Sequence, residues 1–514
     1  MTPKDLKILF EQGKHREIIE KLMQLETKGL IAFSKEDEQF EYLYYKSRSL
    51  ERLGRYEEAL QVATEARKTF ASPTNRSLTL ALVSAQYYAL SKAGRWDEAL
   101  KVSTEGDTIM ESLTAKERKS GSTWIALFYY IRGATHLMSG DLDWALDYLQ
   151  RSLTLREELD NSFDIASSLY VIGDVYSAKG ELTKSLLYYK RSLQSFEDIG
   201  NPNATAYTLI RIGGLYFIKS ELKTALDYYQ RSLELFEKIA DRRAIVLTLN
   251  EIGGIHWYKG ELATALNYLQ RSLEISEAIS IDYVTSLTLF YLILVTLDQQ
   301  DQDHIQAQVY LKELQQLQKH SSNKWIDLEN RLAEALVLKR SPRMKDKVRA
   351  QTILEQLVDE KPNMFRTFLW HTLAMIHLCD LLLLEAKSFG ETDVWEEAKG
   401  LIQRLYAQAQ DQQAFGLLVE ALLLQARFAV IDGNLDLAQN HLDQARITSE
   451  EKELGLLGQK VTAEQQRFQA EFEKWRTLIQ GNASLQERLD YAQLQKYLQS
   501  VQKIVKLWDL KQTE

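Results

Sequence analysis

The sequence predicts an all-α solenoid of stacked helical hairpins, and three observations carry that prediction. Proline is scarce, five in 514 residues, with only 23 glycines. Proline costs about 3 kcal/mol inside a helix, so a chain this poor in it can run in long helical tracts. A motif recurs at intervals of forty residues. Within each interval the apolar residues fall three or four apart, the spacing of one helix face.

The period is read most clearly at Gly140-Asp-Leu-Asp-Trp-Ala145, Gly180-Glu-Leu-Thr-Lys-Ser185, Ser220-Glu-Leu-Lys-Thr-Ala225 and Gly260-Glu-Leu-Ala-Thr-Ala265. Each is followed by a near-copy of Tyr148-Leu-Gln-Arg-Ser-Leu153, at residues 188, 228 and 268. Gly54-Arg-Tyr-Glu-Glu-Ala-Leu60 and Gly94-Arg-Trp-Asp-Glu-Ala-Leu100 keep the same spacing. The six extra residues between Gly94 and Gly140 place an insertion in the polar stretch Thr114 to Ser122. In one copy Leu169, Ile172, Tyr176, Leu182, Leu186, Tyr189 and Leu193 mark two apolar helix faces. The Gly or Ser at 140, 180, 220 and 260 supplies the tight turn between them. Asn161, Asn201 and Asp241 stand where the next helix needs a cap. A lone hairpin cannot bury its apolar face, so neighbours stack and the array grows.

This gives an expected organisation. Residues 1–39 hold a degenerate first repeat around Gly13-Lys-His-Arg-Glu-Ile-Ile19, and residues 40–280 hold the regular array. Residues 281–455 read as irregular hairpins, with the spacing restored once at Ala426, Gly433, Ala438 and Ala445 and hinted at by Trp395-Glu-Glu-Ala398. Residues 456–514 read as two long helices that cap the array or bind a partner. The last starts at Ser484-Leu-Gln-Glu487, capping-box spacing, and continues in a stripe of Leu494, Tyr497, Val501, Ile504 and Trp508.

The pattern of small residue, aromatic, turn glycine and alanine resembles the tetratricopeptide (TPR) family over residues 40–280. Gly133, Gly173, Gly213 and Gly253 match its small residue in the first helix, and Ala145, Ser185, Ala225 and Ala265 the one in the second. Tyr176 and Tyr216 match its aromatic, which His136 and His256 replace elsewhere. The forty-residue period is similar to that of LGN/Pins-type scaffolds and of prokaryotic TPR sensors. The resemblance implies a right-handed superhelix whose concave groove is lined by the first helix of each hairpin.

Projected onto this chain, the groove wall begins with Tyr130, Ala134, Leu137 and Met138, and continues with Tyr170, Asp174 and Ser177. The third unit offers Tyr207, Ile210, Arg211, Gly214, Phe217 and Ile218, and the fourth Asn250, Glu251, Gly254, Trp257 and Tyr258. Aromatic anchors are favoured at binding surfaces. The glycine pairs Gly213-Gly214 and Gly253-Gly254 would admit a ligand close to the backbone. The wall is therefore expected to take a peptide or helical segment, with Phe217 and Trp257 leaning towards the groove. Two competing expectations are that these residues are core, or that the protein's own C-terminal helices fill the groove.

Departures from known TPR binders narrow the partner. The carboxylate clamp of the chaperone-binding subtype needs Lys and Asn, where this chain has Tyr170 with Asp174, Ile210 with Gly214 and Asn250 with Gly254. The paired asparagines of LGN-type repeats are replaced by Val171, Arg211 and Glu251 in one column and by Asp174, Gly214 and Gly254 in the other. Neither partner set carries over. A column of Arg151, Arg191, Arg231 and Arg271 on the second helices reads as a solvated face, with an acidic partner the less favoured alternative.

No catalytic or metal-binding residue is predicted. Gly180-Glu-Leu-Thr-Lys-Ser185 lacks the second glycine of a phosphate-binding loop. His371 and His377, six apart on one helix, point to different faces, so Cys379 and Asp380 do not complete a metal site with them. A net charge of −9 argues against nucleic acid as partner. One cysteine excludes an internal disulfide framework, and the charged residues 1–7, where a signal peptide would need an apolar core, lead to the expectation of no secretory leader. The apolar tract 365–384 is broken by Arg366, His371, His377 and Asp380, which favours a buried helix over a membrane span. The resulting expectation is a cytoplasmic, non-enzymatic scaffold without cofactor, binding a protein or peptide in its groove, with its last helix available for self-association. The alternative is a ligand- or peptide-sensing subunit that acts on a separate effector protein.

Overall fold

The structure, a computed structural model, describes residues 2–28, 36–70, 76–93, 95–219, 221–279, 281–299, 305–321, 323–360, 365–389, 392–411, 414–452, 454–494, 497–498 and 501. Among these every regular element is a helix. Two compact units divide the chain, Met1–Thr208 and Leu209–Glu514.

In the first unit the hairpins are Pro3–Glu11 with His15–Thr27, Glu36–Arg52 with Tyr56–Thr69, Arg76–Lys92 with Trp96–Ser112, Ser122–Ser139 with Leu142–Glu158, and Ser162–Ala178 with Leu182–Ile199. The insertion is itself a short helix, Ala115–Ser120, with a Thr114/Glu117 capping box. Pro202–Ile218 runs through the division between the units. The second unit continues with Leu222–Ile239, the pair Arg242–Tyr258 and Leu262–Ile279, and then four more hairpins from Asp282–Leu297 to Leu435–Glu451. Hairpins thus persist where the sequence period fails.

Local chemistry explains the signature of the repeat. Gly140 and Gly180 close their turns at φ +84° and +70°, backbone that a side chain resists. The corresponding candidates Gly94 and Ser220 lie outside the described residues. Asn161, Asn201 and Asp241 each cap the following helix, accepting from the backbone N–H of Asp164, Ala204 and Ala244. The serine of Arg-Ser-Leu is buried and ties the two helices of a hairpin together. Ser152 Oγ donates to the carbonyl of Ala126 at 2.7 Å, and Ser192 Oγ to that of Ala166 at 2.8 Å. A Cβ at Gly133 would sit 2.5 Å from Leu149, and one at Gly173 2.7 Å from the Tyr189 ring. The small-residue column is thus set by helix-to-helix approach. Tyr176 and Tyr216 stack on Tyr188 and Tyr228, and His136 and His256 stack in the same way on Tyr148 and Tyr268.

Within the first unit the chain returns on itself. Asn201 Nδ2 donates to the carbonyl of Glu11 at 2.7 Å, and Phe163 links Phe10 to Phe196 through ring contacts of 6.1 and 5.9 Å. In the second unit a Cβ at Gly455 would meet the Lys219 carbonyl oxygen at 2.6 Å, so Gly455–Gln480 begins hard against the end of Pro202–Ile218.

At the C-terminus the described residues form Gly455–Gln480 and Leu485–Ala492, and residues 494, 497, 498 and 501 beyond them are also helical. Gly455–Gln480 is long, and Ser484 makes the expected capping box with Glu487. The helix that follows stops at Ala492, because Gln493 turns left-handed at φ +48°. Leu494, Tyr497, Leu498 and Val501 are nevertheless buried, while Ile504 and Trp508 lie outside the described residues.

Candidate functional site

The inner side of each unit can be followed along the first helices of its hairpins. In the second unit much of the predicted wall is core. Phe217 is 1% and Trp257 3% exposed, and the indole N–H of Trp257 donates to Asp298 at 2.8 Å. Ile210, Gly214, Glu251 and Gly254 are buried as well. Asn250 is fully buried, donating to Thr288 at 3.1 Å and accepting from Ser272 at 2.9 Å. These positions join consecutive hairpins, which corrects the lean of Phe217 and Trp257 towards a groove. The first glycine of each pair is explained by packing: a Cβ at Gly253 would come within 2.9 Å of Leu269, and one at Gly213 within 3.3 Å of the Ala225 carbonyl oxygen. Arg211 and Tyr258 are half-buried.

The C-terminal segment covers part of this second inner wall. Leu485–Ala492 packs on the first helices Phe365–Phe389 and Phe415–Ile431. Tyr497 donates to the fully buried Glu420 at 3.2 Å. Lys460 Nζ donates to both oxygens of Glu420, at 2.8 and 2.9 Å. Burial pulls the Lys460 ammonium below its ordinary range, and Glu420 opposes that shift. The Arg427 guanidinium, paired with Glu464, lies 3.8 Å over the Tyr497 ring. Leu494, Tyr497 and Val501 of the stripe are buried.

The first unit is different. Tyr130, Tyr170, Asp174 and Tyr207 stay half-buried, while the side chain of Met138 lies outside the described residues. Asp174 accepts from the hydroxyl of Tyr189, whose ring packs 5.7 Å from Tyr170. Four residues that the sequence reading missed complete this wall. Arg48 stacks 3.5 Å over Tyr88, Tyr88 lies 6.5 Å from Tyr130, and Arg156 covers Tyr130 at 4.5 Å. This makes a continuous cation–ring–ring–cation stack. Arg52 lies beside it, near Tyr88, Tyr130 and Tyr207. Burial raises the Tyr88 and Tyr130 hydroxyls above their usual range, so both remain protonated donors.

The remaining candidates are structural. Arg151 pairs with Asp147 at 2.9 Å, Arg271 with Glu237 of the preceding hairpin, and Arg191 and Arg231 lie over their own tyrosines. The arginine column is thereby occupied locally. His377 faces Lys339, which is ion-paired with Asp380, and burial lowers the titration of both His371 and His377. Among the described residues no group of His, Cys, Asp and Glu could hold a metal ion, and no helix is long and apolar enough to cross a membrane.

Comparison with known proteins agrees with this architecture. The chain is similar to the apo form of RapI, with 16% identity over 73% of this chain and 98% of that one, TM-score 0.50. It is also similar to a Rap protein complexed with competence and sporulation factor, 15% identical over 73% of this chain and 99% of that one, TM-score 0.49. The apo quorum sensor NprR from B. thuringiensis is 13% identical over 80% of this chain and 99% of that one, TM-score 0.45. At 16% identity the likeness to RapI is one of fold. No curated protein matches the chain in sequence. The sequence profile of the MalT-like TPR region matches residues 128–449, and the chain belongs to that TPR family.

Proposed function

We propose that the chain is a non-enzymatic, ligand-sensing regulator that binds a peptide on the inner wall of its first unit and acts through a separate effector protein. The observation that carries this reading is the half-exposed wall of Arg52, Tyr88, Tyr130, Tyr170 and Tyr207. It offers aromatic faces, hydroxyl donors and a guanidinium, the mixture that fixes a small polar chain in a concave site. A scaffold gripping an apolar helix is served less well, since its two best anchors, Phe217 and Trp257, are spent on the core.

A ligand that binds only the folded state raises its stability in proportion to the logarithm of its concentration. The peptide-sized fraction of an extract from the source cells is therefore expected to raise the melting temperature of the chain, and protease treatment of that fraction is expected to abolish the rise. If no small fraction stabilises the protein, and only a macromolecular one does, the scaffold reading replaces this one.

A further inference from the structure

We infer that this wall recognises a carboxylate, that of an acidic peptide, with Arg52 as the group that takes it. The inference rests on the peptide-sensing reading and adds the chemistry of the ligand.

Three guanidiniums converge on one stretch of wall, and their partners are unequal. Arg48 holds Glu51 at 2.9 Å with its side chain 5% exposed. Arg156 donates at 2.8 Å both to the carbonyl of Asp164 and to Ser168 Oγ, with its side chain 3% exposed. Each also keeps a buried Nε that finds no partner among the described residues. Arg52 is the exception. The same Glu51 oxygen is 3.8 Å from it, beyond a hydrogen bond, and 46% of its side chain is exposed. It is open to solvent even though tyrosines from three other helices stand around it, as a group lining a concavity would be.

His15, enclosed by burial and facing Arg52 and Arg48, is pushed down to about 3 and stays neutral. Its Nδ1 is buried without a partner among the described residues. Neither Tyr88 nor Tyr130 makes a hydroxyl hydrogen bond to the described residues, which leaves two donors beside the Arg52 fork. A guanidinium presents paired N–H groups that match a carboxylate, and such charge-assisted bonds are among the strongest available. The flanking rings of Tyr88 and Tyr130 would pack the apolar part of a peptide. A nucleic acid would want an unbroken basic stripe, whereas Glu51, Asp164 and Asp174 interrupt this wall.

The test measures binding of three fluorescein-labelled octapeptides to the full chain: alternating Leu and Glu, and its Gln and Lys counterparts. The acidic peptide should bind at least about tenfold more tightly than the Gln peptide, the worth of one charge-assisted hydrogen bond. Arg52→Gln should erase that ratio while helicity and melting are unchanged, and Arg52→Lys, which keeps the charge but loses the fork, should retain part of it. The preference should weaken as salt is raised. Equal binding of the acidic and Gln peptides, unaffected by Arg52→Gln, would overturn the carboxylate inference and leave the peptide reading standing. No binding by any of the three would count against both. Tighter binding of a labelled single-stranded oligouridylate, lost in Arg52→Gln, would overturn the inference in favour of nucleic acid.

Discussion

Glu420→Ala is expected to destabilise the second unit by about 3–5 kcal/mol, the cost of leaving one member of a buried ion pair without the other. Lys460 loses both acceptor oxygens and Tyr497 loses its hydrogen bond. With that anchor gone, Leu485–Ala492 should become an early site of limited proteolysis, whereas in the parent protein it should resist until global unfolding. Lys460→Met in the Glu420→Ala background removes the stranded cation and should restore most of the loss. Urea unfolding measures both steps. A single variant within 1 kcal/mol of the parent, on the scale of an exposed pair, would mean that the segment is not held here.

Phe217 and Trp257 furnish the second large effect. Phe217→Ala empties a fully packed position and should cost about 3–5 kcal/mol. Trp257→Phe keeps most of the volume but leaves Asp298 without its indole donor, at a cost of about 1–3 kcal/mol. Both losses should register in urea unfolding. If the two variants keep parental stability and instead lose a bound partner, these side chains belong to a groove after all.

Those two residues show where the sequence misled. Each falls three before its hairpin's turn residue, at Ser220 and Gly260, on a first helix rich in apolar residues all round. Periodicity cannot say which apolar face meets the next hairpin and which meets solvent. The hairpins themselves were legible because turn glycine, cap and buried serine repeat together, each tied to one contact. After residue 280 the same hairpins are built without that shared vocabulary, so the eye for repeats stops where the helices do not.

The guanidinium cluster was within reach of the sequence. Counting six residues back from each turn gives Arg48, Tyr88, Ala134, Asp174, Gly214 and Gly254, and only the last four were placed on the wall. Two residues before the turn gives Arg52, in register with Met138 and Tyr258, which were both placed there. Extending the column into the first two hairpins of the array would have found both arginines. Arg156 would not have been found. It sits in the last turn of a second helix and reaches the wall only because its long side chain folds over Tyr130. The arginine column failed in a related way: Arg271 meets Glu237 across adjacent hairpins, a pairing hidden from spacing within one helix.

The most direct test of the account is hydrogen exchange of the full chain with and without the stabilising peptide fraction. The account predicts slowed exchange along Glu36–Arg52, Arg76–Lys92 and Ser122–Ser139, with Phe365–Phe389 and Phe415–Ile431 unchanged beneath the docked C-terminal segment. Protection confined to the latter pair, or accompanied by release of that segment, would contradict it and place the ligand site in the second unit.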